Sequence, residues 1–177
     1  MKYLILIFII LTSCLKRDDN DFYIFKIKKG SHKSAYSLKY TDKNVITFNV
    51  KFDSSSIYET IDPINQYDVN KLFGISDGKS HIKNSARFGW RYVNNKLELM
   101  AYTHFEGVFH FEKICNIEPN KEYTCQLSLE DTYVFRIDTF EVKMPRFRNE
   151  SAKNYYLYPY FGGDETAPHD ITIKIKF

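Results

Sequence analysis

Between Arg87 and Tyr102 the side chains alternate twice around a dipeptide suited to a tight reversal. Phe88, Trp90 and Tyr92 interleave with Arg87, Gly89 and Arg91, Asn94-Asn95 follows, and then Leu97, Leu99 and Ala101 interleave with Glu98, Met100 and Tyr102. Successive strand side chains point to opposite faces, so each run reads as a half-buried strand. Asn tolerates a positive φ, and a two-residue Asn-Asn turn fixes the register of the resulting hairpin. In that register Tyr92 faces Leu97, Trp90 faces Leu99 and Phe88 faces Ala101 on an apolar side. On the other side Arg91 meets Glu98, Gly89 meets Met100, Arg87 meets Tyr102 and Ser85 meets His104. The apolar side has to be covered by a second layer, and the polar side, with an expected gap at Gly89, is the first place to look for a site.

The same period recurs along the chain. Ile46, Phe48, Val50 and Phe52 alternate with Thr47, Asn49 and Lys51; Tyr133, Phe135 and Ile137 alternate with Val134 and Arg136; Ile171, Ile173 and Ile175 alternate with Thr172, Lys174 and Lys176. Phe22–Lys28, Lys71–Ile75, Tyr123–Leu129, Phe140–Met144 and Tyr155–Phe161 read as further strands, and Ser54–Asn70 as a long loop with at most one helical turn. The chain has 15 Phe and 14 Tyr against 7 Gly and 5 Pro, a bias toward strand formers. No stretch carries a helix of ordinary length. The expectation is one all-β domain over residues 22–177, a two-sheet antiparallel β-sandwich.

Charge and the N-terminus narrow the setting. A formal net charge of +3, with no basic run or stripe, gives no case for nucleic acid as a partner. Lys2 precedes an apolar run from Tyr3 to Leu11 that is too short to span a bilayer and fits a signal-peptide core. Leu11-Thr12-Ser13-Cys14 resembles the lipobox of bacterial lipoproteins, which implies removal of residues 1–13 and lipidation of Cys14. Acyl chains on Cys14 would hold the protein to a membrane, since each buried methylene contributes about 0.8 kcal/mol. Residues 15–21, LKRDDND, read as a charged tether. Acidic residues just after the cysteine also resemble the export signal of surface-displayed lipoproteins in some Gram-negative bacteria. The implied location is the outer membrane, on its periplasmic or outer side.

Cys115 and Cys125 remain, flanking a segment with Pro119-Asn120 that reads as a turn. In an oxidising compartment they are candidates for a disulfide, the alternative being free thiols. No second pair or nearby His completes a metal site there. The loop Gly162–Asp170 has two readings. Its acidic groups and carbonyls could hold Ca²⁺, or Asp164 and Asp170 could satisfy backbone amides in a turn shaped by Gly162-Gly163.

Taken in order, VITFNVKFD, KLFG, SARFGWR, LELMAY, YTCQL, YVFRID and YFGGDETAPHDITIKI resemble the concanavalin-like jelly-roll sandwiches of polysaccharide lyases, especially the alginate and glucuronan lyase group. Where that group carries Tyr-x-Tyr, this chain has Met100-Ala101-Tyr102. The Glu-x-Asp-x-x-Glu strand of related sandwich glycosidases is absent, which argues against hydrolysis by paired carboxylates. β-Elimination of a uronic acid needs a cation at the substrate carboxylate and groups to take and return protons. Arg87 and Arg91 are the candidate neutralisers, with Lys71 a further cation, and Tyr102 or His104 the candidate proton-transfer group. For a protein that binds polysaccharide without cleaving it, Arg87, Arg91, Glu98 and Tyr102, with Tyr156, Tyr158 and Tyr160 from one face of a late strand, are the candidate contacts. The plain alternative is that Arg91–Glu98 and Arg87–Tyr102 are ordinary cross-strand pairs, each contributing under about 1 kcal/mol. Trp90, between Phe88 and Tyr92, is expected in the core. The expected function is a lipid-anchored glycan-binding sandwich; the alternatives are a small polysaccharide lyase and an adhesion lipoprotein with a protein partner.

Overall fold

The structure is a computed structural model that describes residues 16–147 and 153–177. The expected signal peptide, Cys14 and Asn149-Glu150-Ser151 lie outside the described residues. Among the described residues, twelve strands build two antiparallel sheets: β1 Tyr23–Ile27, β2 Tyr40–Thr41, β3 Val45–Phe52, β4 Asn70–Ser76, β5 Ser85–Val93, β6 Lys96–Phe105, β7 Val108–Ile117, β8 Glu122–Leu129, β9 Thr132–Ile137, β10 Phe140–Pro145, β11 Asn154–Leu157 and β12 Ile171–Lys176. One sheet runs β1-β12-β3-β8-β9-β10 and the other, which carries the site, β2-β11-β4-β5-β6-β7.

The alternating residues meet between the sheets as expected. Phe48 of the first sheet lies edge-on to Phe73 and Phe88 of the second, at 5.1 and 5.5 Å, and Phe88 lies edge-on to Phe135 at 5.2 Å. Such edge-to-face pairs each add about 0.5–1.5 kcal/mol beyond the area they bury. Trp90 is fully buried and packs on Phe52, which places it in the core rather than under a sugar. Asn94 and Asn95 have φ of 52° and 58°, and β5 and β6 pair Tyr92–Leu97, Trp90–Leu99, Phe88–Ala101, Arg91–Glu98, Gly89–Met100, Arg87–Tyr102 and Ser85–His104. The long loop holds two short 3₁₀ turns, Ser54–Ser56 and Pro63–Tyr67.

Two expectations are corrected. Cys115 and Cys125 are free thiols, both buried. The segment between them is a crossover from one sheet to the other, since β7 pairs with β6 while β8 pairs with β3 and β9. The two thiols come from opposite sheets and both lie in the core between them. Burial raises the pKa of both thiols. The charged segment before β1 also packs instead of standing free. Ile24 donates its amide to the Lys16 carbonyl at 2.8 Å, Asp18 caps the amides of Asn20 and Phe22, and its carboxylate meets Lys174 at 2.8 Å.

Candidate functional site

The side of the second sheet that faces away from the core carries Arg87 at its centre. The side chain is enclosed, with 8% of the residue exposed, because Gly74 on β4 leaves space beside it. A Cβ built on Gly74 would overlap the Ala86 carbonyl oxygen and come within 2.5 Å of the Arg87 Cα. The guanidinium donates one hydrogen bond to the Tyr158 carbonyl, and its buried Nε has no partner. Among the described residues no carboxylate pairs with it. Burial draws its pKa down to about 10, against the opposing pull of the Tyr102, Tyr160 and Tyr155 phenols. A buried cation without an anion is costly, and a cation so held is prepared for an anion from outside.

The other residues expected of this face gather around it. Lys71 donates to the Gly162 carbonyl at 2.8 Å and holds its ammonium 4.9 Å from the centre of the Tyr102 ring. Burial and then the nearby Arg87 charge lower its pKa to about 8. Tyr102 meets the His104 ring edge-on at 5.4 Å, and burial raises its phenol pKa. The Ser85 hydroxyl lies 3.4 Å from His104 Nδ1. His104 titrates at about 4, through burial first and then the positive charge of His81, Lys71 and Arg87, so its imidazole is neutral at pH 7. Arg87, Tyr102, His104 and Lys71 therefore share one polar face, which the hairpin register predicts for the first three.

His81 and Tyr155 complete the face and escape the sequence reading. The Tyr155 hydroxyl bonds to the His81 amide at 3.1 Å and to its Nδ1 at 2.8 Å, and both side chains line a cavity of about 300 Å³ with Arg87, Tyr160 and Ser34. His81 sits in the loop before β5 and Tyr155 on β11, so only the pairing of β11 with β4 brings them in. The run Tyr155–Tyr160 carries the signal, but its outward ring at the start is Tyr155. Tyr156 and Tyr158 turn into the core, stacked on Phe73 at 5.5 Å and packed against Phe25 at 5.7 Å. Beyond Leu157 the ladder stops, Pro159 intervenes, and Tyr160 reverts to the outer face, where its ring stacks on His32 at 5.1 Å. Tyr158 is thus a core residue and Tyr156 is half-buried against the core, though both also line the cavity; Tyr155 joins them there.

The gap expected at Gly89 is filled. A Cβ there would lie 2.5 Å from Val69 Cγ1 and 2.7 Å from the Asn70 carbonyl oxygen, so β4 crosses at the spot where a side chain is missing. Val69, Met100 and Tyr102 form a small apolar cluster on this face. Arg91 and Glu98 lie on the other side of that cluster from Arg87. They pair at 2.7 Å, with Lys113 at 2.7 Å on the second Glu98 oxygen and the Tyr67 carbonyl accepting from Arg91. For Arg91 and Glu98 the cross-strand pair is the correct description.

The loop after Phe161 is a shaped turn. Gly162 has φ of 77° and Asp170 accepts from the Lys29 amide and from Lys26 and Lys28, which holds its pKa well below the usual carboxylate range. Glu165, rather than Asp164, satisfies amides, taking hydrogen bonds from Ile61, Asp62 and the Asn65 side chain. The Glu165 and Asp170 carboxylates are thus taken up by amides and lysines, and among the described residues no group of three His, Cys, Asp or Glu side chains is placed to hold a metal.

The structure superposes on the crystal structure of the marine PL7 alginate lyase AlyA1 from Zobellia galactanivorans with a TM-score of 0.55 and 11% sequence identity, over 90% of this chain and 76% of the lyase. It also aligns with the carbohydrate-binding module CBM66 from Bacillus subtilis at a TM-score of 0.37 and 10% identity, over 81% of this chain and 75% of the module, a likeness too loose to argue from. No protein-family model matches the sequence, and no curated protein matches it. Fold and face together define the class: a jelly-roll β-sandwich whose outer sheet face carries a cationic, phenol-lined site.

Proposed function

We propose that this protein binds an acidic polysaccharide, a uronic-acid polymer, across the outer face of its second sheet. The observation that carries the reading is Arg87, a buried guanidinium with an unpartnered Nε and no carboxylate beside it. A planar carboxylate matches its fork, and Lys71 adds a second charge within the same face. Tyr102, Tyr155 and Tyr160 supply rings and hydroxyls for the sugar. The fold shared with an alginate lyase supports the choice of ligand. Electrophoresis of the purified chain through gels containing alginate, glucuronan or a neutral glucan tests it. Retardation by the acidic polymers alone, abolished by Arg87→Met, is the expected result; equal mobility in all gels overturns the reading.

A second reading, a polysaccharide lyase, is favoured by the contact of Tyr102 with a neutral His104 next to Arg87. With Arg87 on the uronate carboxylate, His104 would take the proton from the adjoining ring carbon. The electron pair would form a carbon–carbon double bond as the glycosidic carbon–oxygen bond breaks, and the leaving oxygen would receive a proton from Tyr102. Ultraviolet absorbance of the unsaturated product during incubation with alginate, glucuronan and hyaluronan separates binding from cleavage.

The same proposal places the chain on a membrane through lipid on Cys14, in the outer membrane of a Gram-negative bacterium. The lipobox-like Leu11–Cys14 supports this. Expression of Cys14→Ser should release the protein into the soluble fraction, and its retention on membranes would refute the anchor. A protein partner in adhesion is the outcome left if no glycan is retained.

A further inference from the structure

The first half of β7 is unlike every other strand of this sheet. Its six residues from Val108 to Lys113 are exposed on both faces, and β7 is the sheet's outer edge. On the side of Arg87 this half presents Phe109 and Phe111, 59% and 43% exposed. Both rings lie nearly parallel to Tyr102 and to each other: Tyr102 and Phe109 are 6.3 Å apart at 4°, Phe109 and Phe111 6.4 Å apart at 3°. Register makes the row continuous, since Arg87 pairs with Tyr102 and Tyr102 with Phe111. At about 4.8 Å per strand, Phe111 stands about 10 Å from Arg87 across the sheet. Cations border the row as well: the Arg91 guanidinium lies 5.8 Å from the Phe111 ring, and Lys113, 39% exposed, shares Glu98 with it. Two cations against one carboxylate leave this end net positive.

We infer that Phe109 and Phe111 form a second binding surface for the same polysaccharide, packing on the apolar C–H faces of uronate rings that follow the one seated at Arg87. The occupant is argued from continuity through Tyr102 and from the charge at the border. Large exposed aromatic side chains in a row are rare on a sheet without a partner, and uronate rings offer an apolar face edged by a negative group, the complement of this ridge. The inference rests on the reading of the Arg87 face as a uronate site. It adds a direction: the glycan crosses the strands from β4 toward β7, instead of running along them.

The test is calorimetric titration of the full chain with oligoglucuronates and oligomannuronates, from disaccharide to octasaccharide, for the wild type, Phe109→Ala/Phe111→Ala and Arg87→Met. Both phenylalanines are exposed, so the double variant should unfold at the same temperature as the wild type. Wild-type affinity is expected to rise with length. The double variant should bind the disaccharide as the wild type does and lose about tenfold for the octasaccharide, two aromatic contacts at a tenfold per about 1.4 kcal/mol. Arg87→Met should weaken every length. Equal affinity of wild type and double variant at all lengths overturns the ridge and leaves the Arg87 site standing. So does unchanged glycan affinity with a wild-type dimer that the double variant loses in sedimentation, which would make β7 an edge for a second copy. No binding of any oligosaccharide by the wild type overturns both readings at once.

Discussion

Two arginine side chains in this sandwich are almost wholly enclosed, and they are enclosed for opposite reasons. Arg146 follows β10 and closes one end of the core: it meets Asp77 at 2.7 and 3.2 Å, donates to the Glu130 carbonyl at 2.6 Å, and Asp77 also accepts from the buried Tyr133 hydroxyl at 2.9 Å. Every charge there has its counter-charge inside the protein. Arg87 has one backbone carbonyl, no carboxylate and an unpartnered Nε. A buried ion pair is close to neutral for stability but costly to break, whereas a buried cation without a partner is a standing cost. The comparison teaches that burial alone does not mark a site; burial without satisfaction does.

That contrast breaks most sharply at Asp77. Asp77→Ala leaves Arg146 and Tyr133 without their acceptor, and should lower unfolding stability by about 3–5 kcal/mol in urea, while the folded fraction still binds uronate. Arg87→Met should do the reverse. It should leave stability unchanged or raised, and reduce oligouronate affinity by about 2–5 kcal/mol in calorimetry. Gly74→Ala, which sets a methyl group into the Ala86 carbonyl and the Arg87 backbone, should cost about 1–3 kcal/mol of stability and weaken binding as it displaces Arg87.

The smallest effect is on pH. His104 titrates at about 4 when folded and near 6.5 when unfolded, and His81 is shifted in the same direction, by burial first and then Arg87. Below about pH 6.5 the unfolded chain binds more protons than the folded one, so stability should fall as the pH is lowered toward 4. Glu98 is held below its ordinary 4.5 and adds its loss only at lower pH. Lys71 works at the other end: between about pH 8 and 10.5 the unfolded chain again holds more protons, so stability should rise with pH there. Denaturation midpoints across both windows check these signs, and His104→Gln should flatten the acidic arm.

The parts of this site that rest on one hairpin were legible in advance, because an Asn-Asn turn leaves a single register and a period of two leaves a single choice of faces. Arg87, Tyr102, Ser85 and His104 follow from that alone. The parts contributed by other strands were not. Gly89 looks like a gap until β4 is seen crossing it, and the tyrosine run after Asn154 alternates cleanly in sequence but turns over at Pro159, so that Tyr155 and Tyr160 join the outer face while Tyr156 and Tyr158 pack their rings on the core. The fold class was readable from strand number and aromatic content. The seating of Cys115 and Cys125 in opposite sheets was not, since a short polar segment can be a hairpin turn or a crossover between sheets, and only the strand order decides which.

Stabilisation by ligand brings the two arginines into one experiment. A ligand that binds only the folded state raises the unfolding midpoint according to its concentration relative to Kd. The midpoint should be followed for the wild type, Arg87→Met and Asp77→Ala as oligoglucuronate or oligomannuronate is added. If Arg87 is the uronate site, the midpoint should rise for the wild type and, from a lower start, for Asp77→Ala, but not for Arg87→Met, whose midpoint without ligand equals or exceeds that of the wild type. An Arg87→Met protein that starts several degrees lower and rises with oligouronate like the wild type would contradict that assignment, and would make Arg87 a structural residue like Arg146.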